Sequence, residues 1–175
     1  GMEHTTISFM GGFSRSLIAH ELAHQCYGNK VTCGSWQDIW LNEGFATYLT
    51  GMTVEHLDGA SSFKSWRNNA NNRATTPVDG SVYVPAVDTL NVGRVFNGNL
   101  SYNKGAMVLH MLRKKVGDTD FQQTLQNYLS DPQLAFNYAK TPEFQAIAAS
   151  TCSQNLTEFL DDWIYGEGYP QHNVE

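Results

Sequence analysis

The segment His20-Glu21-Leu22-Ala23-His24 constrains this chain more than any other. Residues four apart on a helix differ by about 40° around its axis, so a helix here aims both imidazoles at one point and leaves Glu21 on the adjacent flank. Two nitrogen donors need a third ligand to hold a catalytic metal, and Asn42-Glu43-Gly44 offers one in Glu43. Between the two motifs, Gly28-Asn29 and Gly34-Ser35 are turn signals. The interval is long enough to end a first helix over residues 13–28, reverse, and carry Glu43 back on a second over residues 39–54. Two histidines and a glutamate form a ligand set for catalytic zinc, which keeps its fourth position for water and lowers that water's pKa to about 7. His20, His24 and Glu43 are therefore the candidate zinc ligands, and Glu21 is the candidate acceptor of the water's proton. The pattern implies a zinc hydrolase. A buried helix with two hydrogen-bonded core histidines would share the first motif, but it has no use for Glu43 at that remove.

The rest of the chain reads as helices and polar connections. Residues 61–73 form a third helical stretch that ends in an asparagine-rich run. Over residues 75–99 no helical period survives, and Pro77, Pro85 and several glycines predict a long irregular connection delivering the chain to Tyr102. Residues 106–116 form an apolar helix with Met107, Leu109, His110, Met111 and Leu112 on its buried face, His110 being an ordinary helix residue. Asp118 or Thr119 is placed to cap a helix running to Leu129. Thr141-Pro142-Glu143 starts another, and Leu156, Phe159, Leu160 and Trp163 follow the spacing of a last amphipathic one. The class is mainly α. With 41% hydrophobic residues, 175 residues can bury one sizeable core.

Four ordered segments now carry a resemblance: Gly1-Met2-Glu3-His4, residues 20–29 (HELAHQCYGN), residues 40–48 (WLNEGFATY) and residues 101–105 (SYNKG). In this order they are similar to the signatures of the aminopeptidase N family of gluzincin zinc aminopeptidases, and residues 159–170 resemble the way that family's catalytic domain closes. The resemblance implies the helical, zinc-bearing part of a thermolysin-like catalytic domain with a short N-terminal edge strand. It also implies that residues 1–175 are one incomplete domain, lacking an upstream sheet and β-domain. One zinc per chain, held by His20, His24 and Glu43, follows from it, with Glu21 as general base. Tyr102 matches the tyrosine that stabilises the oxyanion, and a neutral phenol with a pKa near 10 can do so without losing its proton. Glu3 matches the glutamate that binds the free α-amino group of a peptide substrate. His4 stands where the family more often has Asn, and Cys26-Tyr27 where many members carry two bulky aromatics. Cys26, about 200° around the helix from His24, is expected to pack away from the metal.

A net charge of −6, with no basic cluster beyond Arg113-Lys114-Lys115, argues against nucleic acid as a partner. That basic run reads as the solvated end of a helix. No apolar stretch approaches the 18 residues of a membrane span. The resemblance implies instead, as partners, peptides with a free N-terminus and the upstream domains of a longer protein. Three cysteines allow one internal disulfide, with Cys33–Cys152 a conceivable pair, and Asn99 and Asn155 begin sequons. The compartment stays open, a periplasmic or secreted one being favoured over the cytoplasm. Two rival functions remain: a thermolysin-like zinc endopeptidase, which has no use for Glu3, and a catalytically inert zinc-binding fold, which has no use for Glu21 or Tyr102.

Overall fold

Every residue from Trp40 to Ala46 is buried, including Asn42 and Glu43, so the helix that carries Glu43 enters the middle of the molecule rather than lying on its surface. A helix buried around its whole circumference needs partners on all sides, and the chain is arranged to supply them. The computed structural model describes residues 1–76 and 79–170. Its elements run α1 (Arg15–His24), β1 (Val31–Cys33), a 3-10 turn (Trp36–Asp38), α2 (Trp40–Ala74), a second 3-10 turn (Ala86–Asp88) and α3 (Val92–Val95). A π-helical turn (Gly98–Lys104), α4 (Gly105–Val116), α5 (Asp118–Ser130), β2 (Asn137–Ala139), α6 (Thr141–Cys152) and α7 (Thr157–Ile164) follow.

The first half of α2 is flanked by α1, α4 and the π-helical turn. Beneath it the aromatic rings of Tyr27, Trp40, Phe45, Tyr128 and Phe144 pack at centroid distances of 4.8–6.2 Å. Ring pairs at such separations add to the apolar area they bury. Two residues anchor the entry to α2. Asp38 accepts hydrogen bonds from the backbone N–H and hydroxyl of Thr141, at 2.9 and 2.8 Å, and the Trp40 indole donates to the same hydroxyl at 2.9 Å. A parallel pairing of β1 with β2, in the register Val31–Asn137 to Cys33–Ala139, joins the same two regions of the chain.

The mainly α class holds, and several details differ from the sequence reading. The helices expected over residues 39–54 and 61–73 are one run broken at Gly59, whose φ of 81° only glycine takes readily. α5 is capped by Gly117, not by Asp118 or Thr119, because Asp118 is drawn to Arg113 instead. Arg113 is not the solvated end of a helix: it is buried, bonded twice to Asp118 and once to Glu55, while Lys114 and Lys115 stay exposed. Cys26 does not pack, being exposed beside the apolar groove between α1 and α2, and Cys33 and Cys152 are free thiols rather than a disulfide. The N-terminal segment, read as a short edge strand, makes a single antiparallel bridge between Met2 and Phe9. The stretch over residues 75–99 is largely irregular as expected, although Pro77 lies outside the described residues. It is nonetheless packed: Val82, Val84 and Val95 are buried, and the Arg94 guanidinium donates to the carbonyls of Ser81 and Tyr83.

His110 lies far from being a catalytic residue. It is buried in α4, where the Tyr48 hydroxyl, itself approached by Arg113, lies 3.1 Å from its Nδ1. An arginine can only donate, so the phenol donates onward and the imidazole is neutral. Burial, then the cations Arg67, Lys114 and Arg113, push its pKa down to about 4. An unfolded histidine binds its proton near 6.5, so the neutral group's contribution is complete above that pH and is lost as pH falls towards 4. Equilibrium unfolding should therefore show His110 lowering stability by on the order of 2–3 kcal/mol across this window. His110→Gln should flatten that part of the pH profile, and an unchanged slope would place the acid sensitivity elsewhere.

Candidate active site

α1 begins at Ser14, whose hydroxyl accepts the Leu17 N–H, and ends at the second histidine of the motif. α2 starts at Trp40 and brings Glu43 up in its first turn. The crossing of the two helices places His20 Nε2, His24 Nε2 and Glu43 Oε2 in a nearly equilateral triangle, with sides of 3.0, 3.2 and 3.2 Å. Donors bonded at 2.0–2.1 Å to a tetrahedral zinc are separated by about 3.3 Å, so the triangle has the size such an ion requires. These three side chains are the one group of at least three potential ligands found among the described residues.

The partners around the triangle fix its chemistry. His24 Nδ1 is 3.0 Å from the Tyr27 carbonyl, which can only accept, so Nδ1 carries the proton and Nε2 presents a lone pair to the centre. Burial by itself would hold the Glu43 carboxyl up; when the imidazoles also carry a proton on Nε2, the hydrogen bonds from His20 and His24 outweigh it and pull the pKa down to about 2. Burial likewise disfavours a charged His24, and Glu43 reverses that effect and raises it. The result is a buried carboxylate beside two nitrogen donors, a pocket suited to a dication.

Glu21, Glu3 and Tyr102 line the same cleft, of about 550 Å³, as His20, His24 and Glu43. Glu21 is buried at 4% exposure, and its Oε2 has no hydrogen-bond partner among the described residues. A buried carboxylate oxygen left in that state is costly unless a bound group or water completes it. Tyr102 comes from the π-helical turn, its ring parallel to that of His20 at 11° with centroids 6.0 Å apart. Burial first, and then the Glu43 carboxylate, raise its phenol pKa, so it remains a proton donor at any ordinary pH. Glu3 is half-buried; its backbone carbonyl accepts from Asn29 Nδ2 at 2.7 Å, and Met2 and Phe9 exchange hydrogen bonds of 2.9 and 2.8 Å. His4 does not join the lining of the cleft and stacks edge-on against Phe9.

Among the lining residues not singled out in the sequence are two large aromatics. Trp36 and Phe96 meet edge to face at 5.8 Å and form an apolar wall to the cleft. Their exposures of 53% and 42% are unusual for such large rings. The only signal they gave was an aromatic residue set among turn and breaker residues, outside any helical period.

A carboxylate and a phenol facing a His–His–Glu triangle built by two crossed helices define an arrangement of the gluzincin kind. The chain matches the peptidase family M1 domain over residues 13–163 and belongs to that family. It is 36% identical over 170 residues to glutamyl aminopeptidase of Sus scrofa, a match covering 91% of this chain and 17% of that protein. It is 32% identical over 168 residues to probable aminopeptidase 1 of Saccharolobus solfataricus, covering 88% of this chain and 20% of that one. The crystal structure of the M1 zinc metallopeptidase from Deinococcus radiodurans superposes with a TM-score of 0.84 at 26% identity, over 97% of this chain and 38% of the other. The chain thus spans a fifth or less of the length of these curated relatives.

If the triangle holds the metal, removing one corner should empty it. His24→Ala should reduce zinc in the purified, dialysed chain from near one equivalent to a small fraction, measured by elemental analysis. Full occupancy in that variant would assign the ion to other ligands.

Proposed function

We propose that this chain forms the zinc-bearing half of an aminopeptidase active site, within a longer catalytic domain that removes N-terminal residues from peptides. The observation that supports this most is the meeting of Glu3, Glu21 and Tyr102 in one cleft with the His20–His24–Glu43 triangle. An inert metal site needs none of these three. The names of the relatives agree, several being aminopeptidases, and a variant of the Deinococcus enzyme has been crystallised with a Tyr-Ser-Ala substrate.

His20, His24 and Glu43 would hold one zinc ion, which when bound supplies a Lewis acid that polarises the scissile carbonyl and acidifies water. Glu21 then takes the proton of the attacking water with its unpartnered carboxylate oxygen and returns it to the departing amine. Tyr102, kept protonated by its surroundings, donates a hydrogen bond to the oxygen on which negative charge develops. Glu3 faces the substrate's ammonium and fixes the register, so that cleavage falls after the first residue. Trp36 and Phe96 offer apolar surface to a side chain of the bound peptide.

Assignment of separate tasks predicts separable failures. In the longer protein, Glu21→Gln and Tyr102→Phe should each lower kcat by roughly 10²-fold or more with zinc retained, since both act on charge that appears only in the transition state. Aminoacyl substrates should be cleaved and their N-acetyl forms ignored, because acetylation leaves Glu3 desolvated without its cation. Equal cleavage of blocked peptides would replace this reading with an endopeptidase.

A further inference from the structure

Tyr102 and Glu43 belong to different elements, and the structure brings those elements together through two glycines. Gly44 follows Glu43 on α2, and Gly105 lies three residues after Tyr102, where the π-helical turn becomes α4. A methyl group at Gly44 would stand 3.1 Å from both Cα and the carbonyl carbon of Gly105 and 3.4 Å from the nitrogen of Ala106. One at Gly105 would stand 3.2 Å from Gly44 Cα and 3.5 Å from Trp40 Cβ. The contacts of 3.1 and 3.2 Å are tight and are made with main-chain atoms, which cannot rotate aside as a flexible side chain does.

We propose that the Gly44–Gly105 backbone contact is a positioning device for the reaction: it fixes how closely the oxyanion donor Tyr102 sits to the carboxylate and imidazole of Glu43 and His20. The proposal rests on the roles given above to Glu43 and Tyr102. Both sides of the contact are otherwise pinned. At the foot of α2, Asn42 Oδ1 accepts the Cys33 N–H at 3.1 Å, beside the Asp38 and Trp40 bonds to Thr141. In the π-helical turn, the buried Lys104 ammonium donates to the Gly80 carbonyl at 2.9 Å, and the Ser101 hydroxyl donates to the Val95 carbonyl at 2.8 Å. With each element tied to its own surroundings, an added methyl has to be accommodated at the crossing itself, by a separation of a few tenths of an ångström. The three ligands of the triangle come from α1 and α2, and none from α4. A misplacement of about 1 Å can cost about 10²-fold in rate. A smaller shift should therefore cost a few-fold to about tenfold in kcat.

The test compares Gly105→Ala with the unaltered longer protein, alone and combined with Tyr102→Phe. Expected are unchanged zinc content, an essentially unchanged KM and a kcat lowered a few-fold to about tenfold. In the Tyr102→Phe background the same substitution should cost nothing further, because the group it misplaces is already gone. A crystal structure of Gly105→Ala should show the Tyr102 ring withdrawn from His20 while the triangle keeps its sides. An unaltered kcat with Tyr102 unmoved, or a loss that multiplies with that of Tyr102→Phe, would overturn the proposal and leave the glycines a general packing role. Should Gly105→Ala not fold, Gly44→Ala makes the reciprocal test, and failure of both to fold also refutes placement as the contact's task. If the unaltered longer protein cleaves no aminoacyl substrate, the functional reading fails by itself, and the crystallographic position of Tyr102 alone decides whether the contact sets it.

Discussion

Two imidazole lone pairs and a carboxylate oxygen within 3.2 Å of one another repel unless a proton or a cation sits among them, and a chain does not bring them together without compensation. The compensation is spread over the fold. α2 is buried on every side through its first two turns, the Tyr27 carbonyl orients His24, and the Asp38–Thr141 and Trp40–Thr141 bonds hold the helix at its base. Apolar packing around Phe45 provides the favourable free energy that offsets the electrostatic cost. Proteins store such unfavourable arrangements at functional sites and stabilise them elsewhere, and this chain does so with an aromatic core directly beneath its acceptors.

The electrostatics also sort the cleft's groups by task. Glu43 is held anionic by its two histidine partners, whereas Tyr102 is kept protonated by burial and by that same anion. On the proposed reading, one carboxylate thus prepares both a cation site and a donor that survives beside it. Glu21, in contrast, keeps a buried oxygen that has no hydrogen-bond partner among the described residues, the atom to which the proposed mechanism gives the proton. Pushing neighbouring groups apart in protonation is how a site runs acid and base steps at one pH.

Much of this was legible in the sequence because helical periodicity is a local rule. The spacing of His20 and His24 and the amphipathic run ending at Trp163 follow from 3.6 residues per turn, and the return of Glu43 follows from the turn signals between the two helices. What escaped depends on partners remote in sequence. Arg113 looked solvated because its neighbours are lysines, and only the approach of Glu55 and Asp118 buries it. Gly117 caps α5 because Asp118 is occupied by that arginine. The π-helical turn around Tyr102 has no sequence period of its own, and the β1–β2 pair joins segments of three residues each, too short to stand out. Trp36 and Phe96 read as stray aromatics until the cleft gave them a common wall.

The bonds from Thr141 to Asp38 span 103 residues, and the β1–β2 pairing spans a similar stretch. Contacts of that range form late, because the intervening chain must first be gathered. Synthesis runs from the N-terminus, so both metal helices leave the ribosome well before the segment that braces them. Trp40 and Phe45 then lack Phe144, one of the rings packed against both of them, until it is made. The metal helices, made first, are completed last, and a truncation after α5 would leave a chain able to form α1 and α2 but not to hold Glu43 against the histidines.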